Sequence, residues 1–172
     1  MIIQWLVCEQ YERAEPGADY LVAFRHKPQW YSVITVVNIK TGKLCYEKAG
    51  RLTALQTAYE AVFLADQYNA ALLVPEINNL GTAIVDILRL DYHSRLYKWK
   101  VVDNQGWIKT AKLGWHTNPS SRQVMANELA KITQHPIPHP RLYESELTVD
   151  RREVYSFGLV CASQERETEV AA

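Results

Sequence analysis

With 172 residues, 48% of them hydrophobic and 22% charged, the chain is long enough for one domain with a full core and has the composition of a soluble globular protein. Lys plus Arg and Asp plus Glu balance at 19 each, which excludes a global field drawing the protein to DNA or membrane and leaves any electrostatic partner to a local patch. Cys8, Cys45 and Cys161 are few, odd in number and far apart, with no Cys-x-x-Cys spacing; this points to reduced thiols in an intracellular setting and leaves no metal knuckle.

In chain order, residues 1–7 are apolar but lack a basic leader and are interrupted by Gln4, with Glu9 soon after. They read as a strand or the tail of something upstream, not as a signal peptide or membrane span. Residues 1–16 are therefore expected to be an N-terminal extension or edge strand, closed by a turn at Glu15-Pro16-Gly17. Residues 20–24 form an apolar run of strand length that ends in Arg25-His26-Lys27-Pro28, and residues 31–38 are rich in β-branched types. Thr41-Gly42 then punctuates the chain before a third extended run at 43–49, so the three strands read as an antiparallel meander. Thr53 can cap a helix in which Ala54, Leu55, Ala58, Ala61, Val62 and Ala65 recur at helical spacing.

The stretch that organises the rest is 70–81. A short aliphatic run, Leu72-Leu73-Val74-Pro75, stops at Glu76 and is followed by Ile77-Asn78-Asn79-Leu80-Gly81. Apolar on both sides and too short for a helix, it reads as an interior strand, with Asn79 capping a second helix. A helix between two strands of one sheet implies a right-handed crossover, which can set this strand parallel to the first and bring Glu76 beside Arg25. A carboxylate at the carboxyl end of such a strand lies where open α/β sheets place their ligand chemistry. A solvated loop acid is the plainer reading of the same residue. Asp86, in the second helix, is expected to face solvent.

Residues 96–102 make a further strand, turning through Asp103-Asn104-Gln105-Gly106 to 107–109. A third helix is expected over about 122–132, then a non-helical connector, His135-Pro136-Ile137-Pro138-His139-Pro140, whose prolines keep the two histidines from pairing on one helical face. A short helix at 141–147 and an irregular or frayed tail at 151–172 complete the expectation. No glycine-rich phosphate loop, Walker loop or nucleophile elbow is present.

The order of elements, with an acid ending the fourth strand, resembles the ribonuclease H-like fold: an α/β domain over 17–150 whose mixed five-stranded sheet, an antiparallel meander plus parallel strands, is flanked by helices. Three patterns resemble, more narrowly, the nuclease domain of the large terminase subunit of tailed bacteriophages. They are residues 31–38 followed by Thr41-Gly42; residues 71–81 with Glu76, Asn78, Asn79 and Gly81; and Lys112-Leu113-Gly114-Trp115-His116-Thr117 with Ser121-Arg122 opening the next helix. The resemblance implies carboxylates holding Mg or Mn for cleavage of double-stranded DNA during packaging, with Glu76 as a catalytic metal ligand. It also implies a host-cytoplasmic location, the terminase ATPase domain and the portal as further partners, and no membrane.

Two of that family's acids have no match. Its first, an aspartate ending the first core strand, is replaced by Arg25 or His26, and nothing after Leu147 matches its histidine-aspartate-aspartate motif; Arg151-Arg152-Glu153 and Glu165-Arg166-Glu167 are not substitutes at the right spacing. Either the chain is altered relative to a working domain, as in a decaying prophage gene, or an acid such as Asp19 serves instead. Hydrolysis is expected to be weak or absent, and a non-catalytic module that binds DNA or a partner is the alternative.

Lys98, Lys100, Lys109, Lys112 and Arg122, interleaved with Trp99, Trp107 and Trp115, form a local cationic strip suited to phosphate contact and to strongly salt-dependent binding. The same alternation also describes a hairpin with one exposed and one packed face. Trp115 is expected in the core.

Overall fold

The computed structural model describes residues 5–29, 31–78, 81–133 and 145–171. Its main sheet has five strands in the order β1-β4-β3-β2-β5, formed by β1 (Trp5–Gln10), β2 (Tyr20–His26), β3 (Ser32–Asn38), β4 (Leu44–Gly50) and β5 (Leu72–Pro75). The meander β2-β3-β4 is antiparallel, β1 adds antiparallel to β4, and β5 adds parallel to β2. The expected mixed sheet is present. Its fifth member is the N-terminal edge strand β1, whereas β6 (Lys98–Val102) pairs with β7 (Ile108–Leu113) in a separate two-stranded ribbon.

Strands β2 and β3 are buried along almost their whole length, which is why they lack the polar alternation of a half-exposed strand. Tyr20, Val22, Phe24, Ile34 and Val36 face α1 (Ala54–Gln67) and α2 (Gly81–Tyr92). Leu21, Ala23, Val33 and Val37 face the other way and pack with Trp115, Val154 and Phe157. Helix α1 starts on a reciprocal cap: Gln56 N donates to Thr53 Oγ1 at 3.1 Å, and Thr53 N donates to Gln56 Oε1 at 2.9 Å. Its passage to β5 is the expected crossover.

The second face is covered by α4 (Glu146–Ala171), with α3 (Pro119–Thr133) packed on it. Here the sequence expectation needs correction, because residues 151–171 are helical and not a frayed tail. Val154, Phe157, Val160 and Cys161 are all buried, and their helical spacing offsets the ordering cost of the segment. Gly158 lets α4 come close to the sheet: a Cβ there would lie 3.2 Å from Ala23 Cβ and 3.3 Å from Val37 Cγ2. The connector at 135–140, with His135 and His139, the cap at Asn79 and residues 141–144 of the short helix expected at 141–147 lie outside the described residues, while Glu146 and Leu147 open α4. Ser145 caps α4, its Oγ accepting from Thr148 N at 3.2 Å. No helix among the described residues is long and apolar enough to cross a membrane.

Candidate functional site

Parallel pairing of β2 with β5 runs Leu21 to Leu72, Val22 to Leu73, Ala23 to Val74 and Phe24 to Pro75. One step further in the same register brings Arg25 and Glu76 together at the carboxyl ends of the two strands, and Glu76 N donates to Phe24 O at 2.9 Å. The side chains form a two-point ion pair. Arg25 Nε donates to Glu76 Oε2 at 2.5 Å and Nη2 donates to Oε1 at 2.7 Å. The fork of a guanidinium matches the two oxygens of a carboxylate, and charge-assisted bonds of this kind are the strong ones.

The other side of the guanidinium is held by α4. Arg25 Nη1 donates to Asp150 Oδ1 at 2.9 Å and to Glu153 Oε2 at 2.6 Å, and Lys27 Nζ donates to the same Asp150 oxygen at 2.7 Å. Asp150 and Glu153 are three apart on a helix and therefore share a face. Arg25, Glu76 and Asp150 are 3%, 8% and 1% exposed, so these charges stand in a medium where pairing is obligatory. Burial by itself would lower the pKa of Arg25; the hydrogen bond and charge of Glu76, reinforced by Glu153, override it and leave the cation more firmly protonated.

Thr117 completes the environment of Glu76. Its hydroxyl donates to Glu76 Oε1 at 2.5 Å and accepts from the Trp115 indole at 3.2 Å. Asn78 clasps the Thr117 backbone, accepting from its N–H at 2.8 Å and donating to its carbonyl at 2.6 Å. This segment is docked through Gly114 (φ +86°): Trp115 N donates to Pro75 O at 2.8 Å, and Ile77 N donates to Trp115 O at 2.7 Å. A Cβ on Gly114 would fall 2.5 Å from both Pro75 O and Ile77 Cγ2, so only glycine fits the approach. The resulting cleft, about 200 Å³, is lined by Arg25, His26, Lys27, Glu76, Thr117 and Arg122 among others. His26 turns its Nδ1 to Ser32 Oγ at 2.9 Å, and burial lowers its pKa.

Against this geometry, the solved structures give a consistent comparison. The nuclease domain of the large terminase from thermophilic phage G20c, with cobalt bound, is 15% identical and aligns with a TM-score of 0.59 over 86% of this chain and 85% of its own. Its magnesium-bound form is 17% identical, with a TM-score of 0.59 over 90% of this chain and 86% of its own. The nuclease domain from Thermus phage P74-26 is 16% identical, with a TM-score of 0.58 over 88% and 83%. This chain has the fold of a terminase nuclease domain. No protein-family model and no curated protein matches its sequence.

The terminase nuclease domain of phage G20c was solved with cobalt, zinc and magnesium, so the fit of this chain's residues to a divalent ion can be tested on its own geometry. They do not fit. A hard cation needs several oxygens with lone pairs to spare, yet both oxygens of Glu76 already accept from Arg25, and one oxygen each of Asp150 and Glu153 does the same. The guanidinium sits where a cation among these acids would have to sit, and it carries like charge. Among the described residues, no group of three or more His, Cys, Asp or Glu could hold a metal ion.

Other sequence expectations divide. Trp115 is fully buried between Trp99, at 4.7 Å between ring centroids, and Phe157, stacked at 5.9 Å. Asp86 is exposed and lies 3.9 Å from Arg89. Asp19 precedes β2, at the opposite end of the strand from Arg25, so it is remote from Glu76. Lys98, Lys112 and Arg122 are exposed, but Lys98 stands opposite Leu113 and Lys112 opposite Trp99, which puts these two lysines on different faces of the ribbon. Lys100 and Lys109 belong to β6 and β7 by backbone, and their side chains lie outside the described residues. Arg122 alone of the five lines the cleft. Sequence reasoning passed over Asp150, Glu153, Lys27 and Thr117 as parts of the site. The i, i+3 pair of acids preceding Val154 and Phe157 was the available signal for the first two.

Proposed function

We propose that the chain is a terminase-nuclease-type domain of phage DNA packaging, acting in the bacterial cytoplasm, that engages double-stranded DNA or a packaging partner without cutting it. The observation that carries this reading is the Arg25 guanidinium bound on both sides by Glu76, Asp150 and Glu153. Two-metal phosphodiester hydrolysis needs hard ions to activate a water and to stabilise the leaving oxygen. A tethered guanidinium supplies neither an open coordination site nor an activated water. Glu76, the acid that the family resemblance marks as a metal ligand, here anchors Arg25. The terminase ATPase domain and the portal are the partners that the resemblance suggests, and Lys98, Lys100, Lys109, Lys112 and Arg122 are the residues we propose for phosphate contact, with Arg122 at the cleft and Lys98 and Lys112, on opposite faces of the ribbon, meeting different phosphates.

Nicking of supercoiled plasmid in manganese, by the unaltered chain and by E76A, tests the reading together with retention of duplex DNA across a salt series. We expect no nicking from either protein, and retention that falls steeply with salt. Replacing Lys98, Lys112 and Arg122 with glutamine should weaken retention and flatten its salt dependence by about one counterion for each phosphate that is no longer neutralised. Nicking that E76A abolishes would overturn the non-cutting assignment, and absence of DNA retention would remove the nucleic-acid half of it.

A further inference from the structure

We infer that the outer edge of β1 is an interface at which two copies of this chain pair, antiparallel and about a two-fold axis at Cys8, into one continuous sheet. The inference goes beyond the nucleic-acid reading and does not rest on it, because the cleft lies at the opposite side of the sheet, between β2 and β5.

The two edges of the main sheet are finished differently. Along β5, passing segments take up the backbone: Tyr97 N donates to Leu73 O and Trp115 N to Pro75 O, both at 2.8 Å. Along the outer edge of β1, no described residue pairs with the strand. Its sequence also lacks the residues that guard a bare edge, since Trp5–Gln10 contains no Lys, Arg or Pro. A bulge between Trp5 and Val7 is the guard it has, and Val7–Gln10 keep a regular register with β4.

Ladder geometry fixes which groups point outward. Tyr11 N donates to Cys45 O at 2.8 Å, and the pairs Gln10–Tyr46, Glu9–Glu47, Cys8–Lys48 and Val7–Ala49 continue that register. Hydrogen-bonded and non-hydrogen-bonded pairs alternate along antiparallel strands, so Glu9 and Val7 share the phase of Tyr11 and bond to β4. Cys8 and Gln10 turn their N–H and C=O the other way, where an added extended strand would meet them.

Charge selects a second copy and its register. The chain carries zero net charge, so two copies meet without global repulsion. Two registers keep most of Val7–Gln10 paired and join outward groups to outward groups. One opposes Cys8 to the partner's Gln10 and thereby sets Glu9 against the partner's Glu9, which is unfavourable. The other opposes Cys8 to the partner's Cys8 and sets each Glu9 beside the partner's Val7, so no like charges face each other across the strands. Cys8 is exposed whereas Cys45 and Cys161 are buried. Opposed residues of a hydrogen-bonded pair stand about 5.5 Å apart between Cα atoms, within the span of a disulfide, so this thiol reports the register.

The test is sedimentation equilibrium of the full chain under reducing conditions, from micromolar to millimolar concentration, beside Q10P and C8D, with folding checked by circular dichroism. The unaltered chain is expected to rise from 19.8 kDa towards twice that mass. Diamide, which takes up both thiol hydrogens with their electrons, should then link the two copies through Cys8. Q10P removes an outward N–H and leaves the bonds to β4 in place. C8D sets a carboxylate opposite Lys48 within the chain but two carboxylates opposite each other across the axis. Both variants should stay at 19.8 kDa over the same series. An unaltered chain that remains at 19.8 kDa throughout would overturn the inference, as would a folded C8D that still doubles its mass. If Q10P does not fold, C8D, whose added charge Lys48 balances, decides alone.

Discussion

Helix α4 meets the sheet through two ionic contacts of opposite polarity, and they differ in kind. At the cleft, a sheet cation, Arg25, is gripped by two helix acids and by Glu76 from the neighbouring strand, with its side chain 3% exposed. On the far side of the same face, a sheet acid, Glu47 of β4, receives a single helix cation: Arg151 Nε and Nη2 donate to its two oxygens at 2.6 and 3.0 Å, and Arg151 is 32% exposed. Tyr11 adds a hydroxyl to Glu47 at 3.1 Å. The second contact is a side-chain pair that fastens helix to sheet. In the first, one cation on β2 ties together acids from two further elements, the end of β5 and α4.

The largest test of that contrast is R25M, which keeps much of the side-chain volume and deletes the charge. It leaves three carboxylates facing one another, and we expect a loss of about 3–5 kcal/mol in urea unfolding. A loss under about 1 kcal/mol would mean that Arg25 is an ordinary pair member. Next, G158L should cost about 1–3 kcal/mol by overpacking the seat of α4 on Ala23 and Val37. Because both ionic contacts depend on that seat, its combination with R25M should cost less than the sum of the two. R151M, which deletes the partly exposed pair, should cost about 1–2 kcal/mol, and an effect matching that of R25M would erase the distinction between the two contacts.

The smallest expected effect is a pH dependence. Burial holds the pKa of His26 below its ordinary value of 6.5, so in the folded chain the ring stays neutral while the unfolded chain takes up the proton first. The stability that this contributes is complete above about pH 6.5 and is lost as pH falls from there through the folded pKa. H26Q should therefore show a flatter fall in urea midpoint between about pH 6.5 and 5 than the unaltered chain. An unchanged slope would mean that His26 is not the source of the acid sensitivity.

Half of the site was legible from residue order. An aliphatic run ending in an acid, joined by a helix to an earlier run ending in Arg25, implies two parallel strand tips side by side, and the register of β2 with β5 places Arg25 beside Glu76. The other half was hidden by the ambiguity of charge. Arg151, Arg152 and Glu153 fall in the stretch expected as an irregular tail, since consecutive charged residues usually face solvent, and only partners more than 100 residues away turn the adjoining Asp150 inward. Val154, Phe157 and Cys161 carried the helical period that could have separated a packed helix from a frayed end. The ribbon β6-β7 was legible as a hairpin, but nothing local told that it stands outside the main sheet.

Gly114 gives the ribbon a mechanical meaning. With backbone against backbone at Pro75 and no side chain between, the end of β7 sets the places of Trp115 and Thr117, and Thr117 in turn holds the Glu76 carboxylate, so the width of one missing Cβ decides where that carboxylate stands.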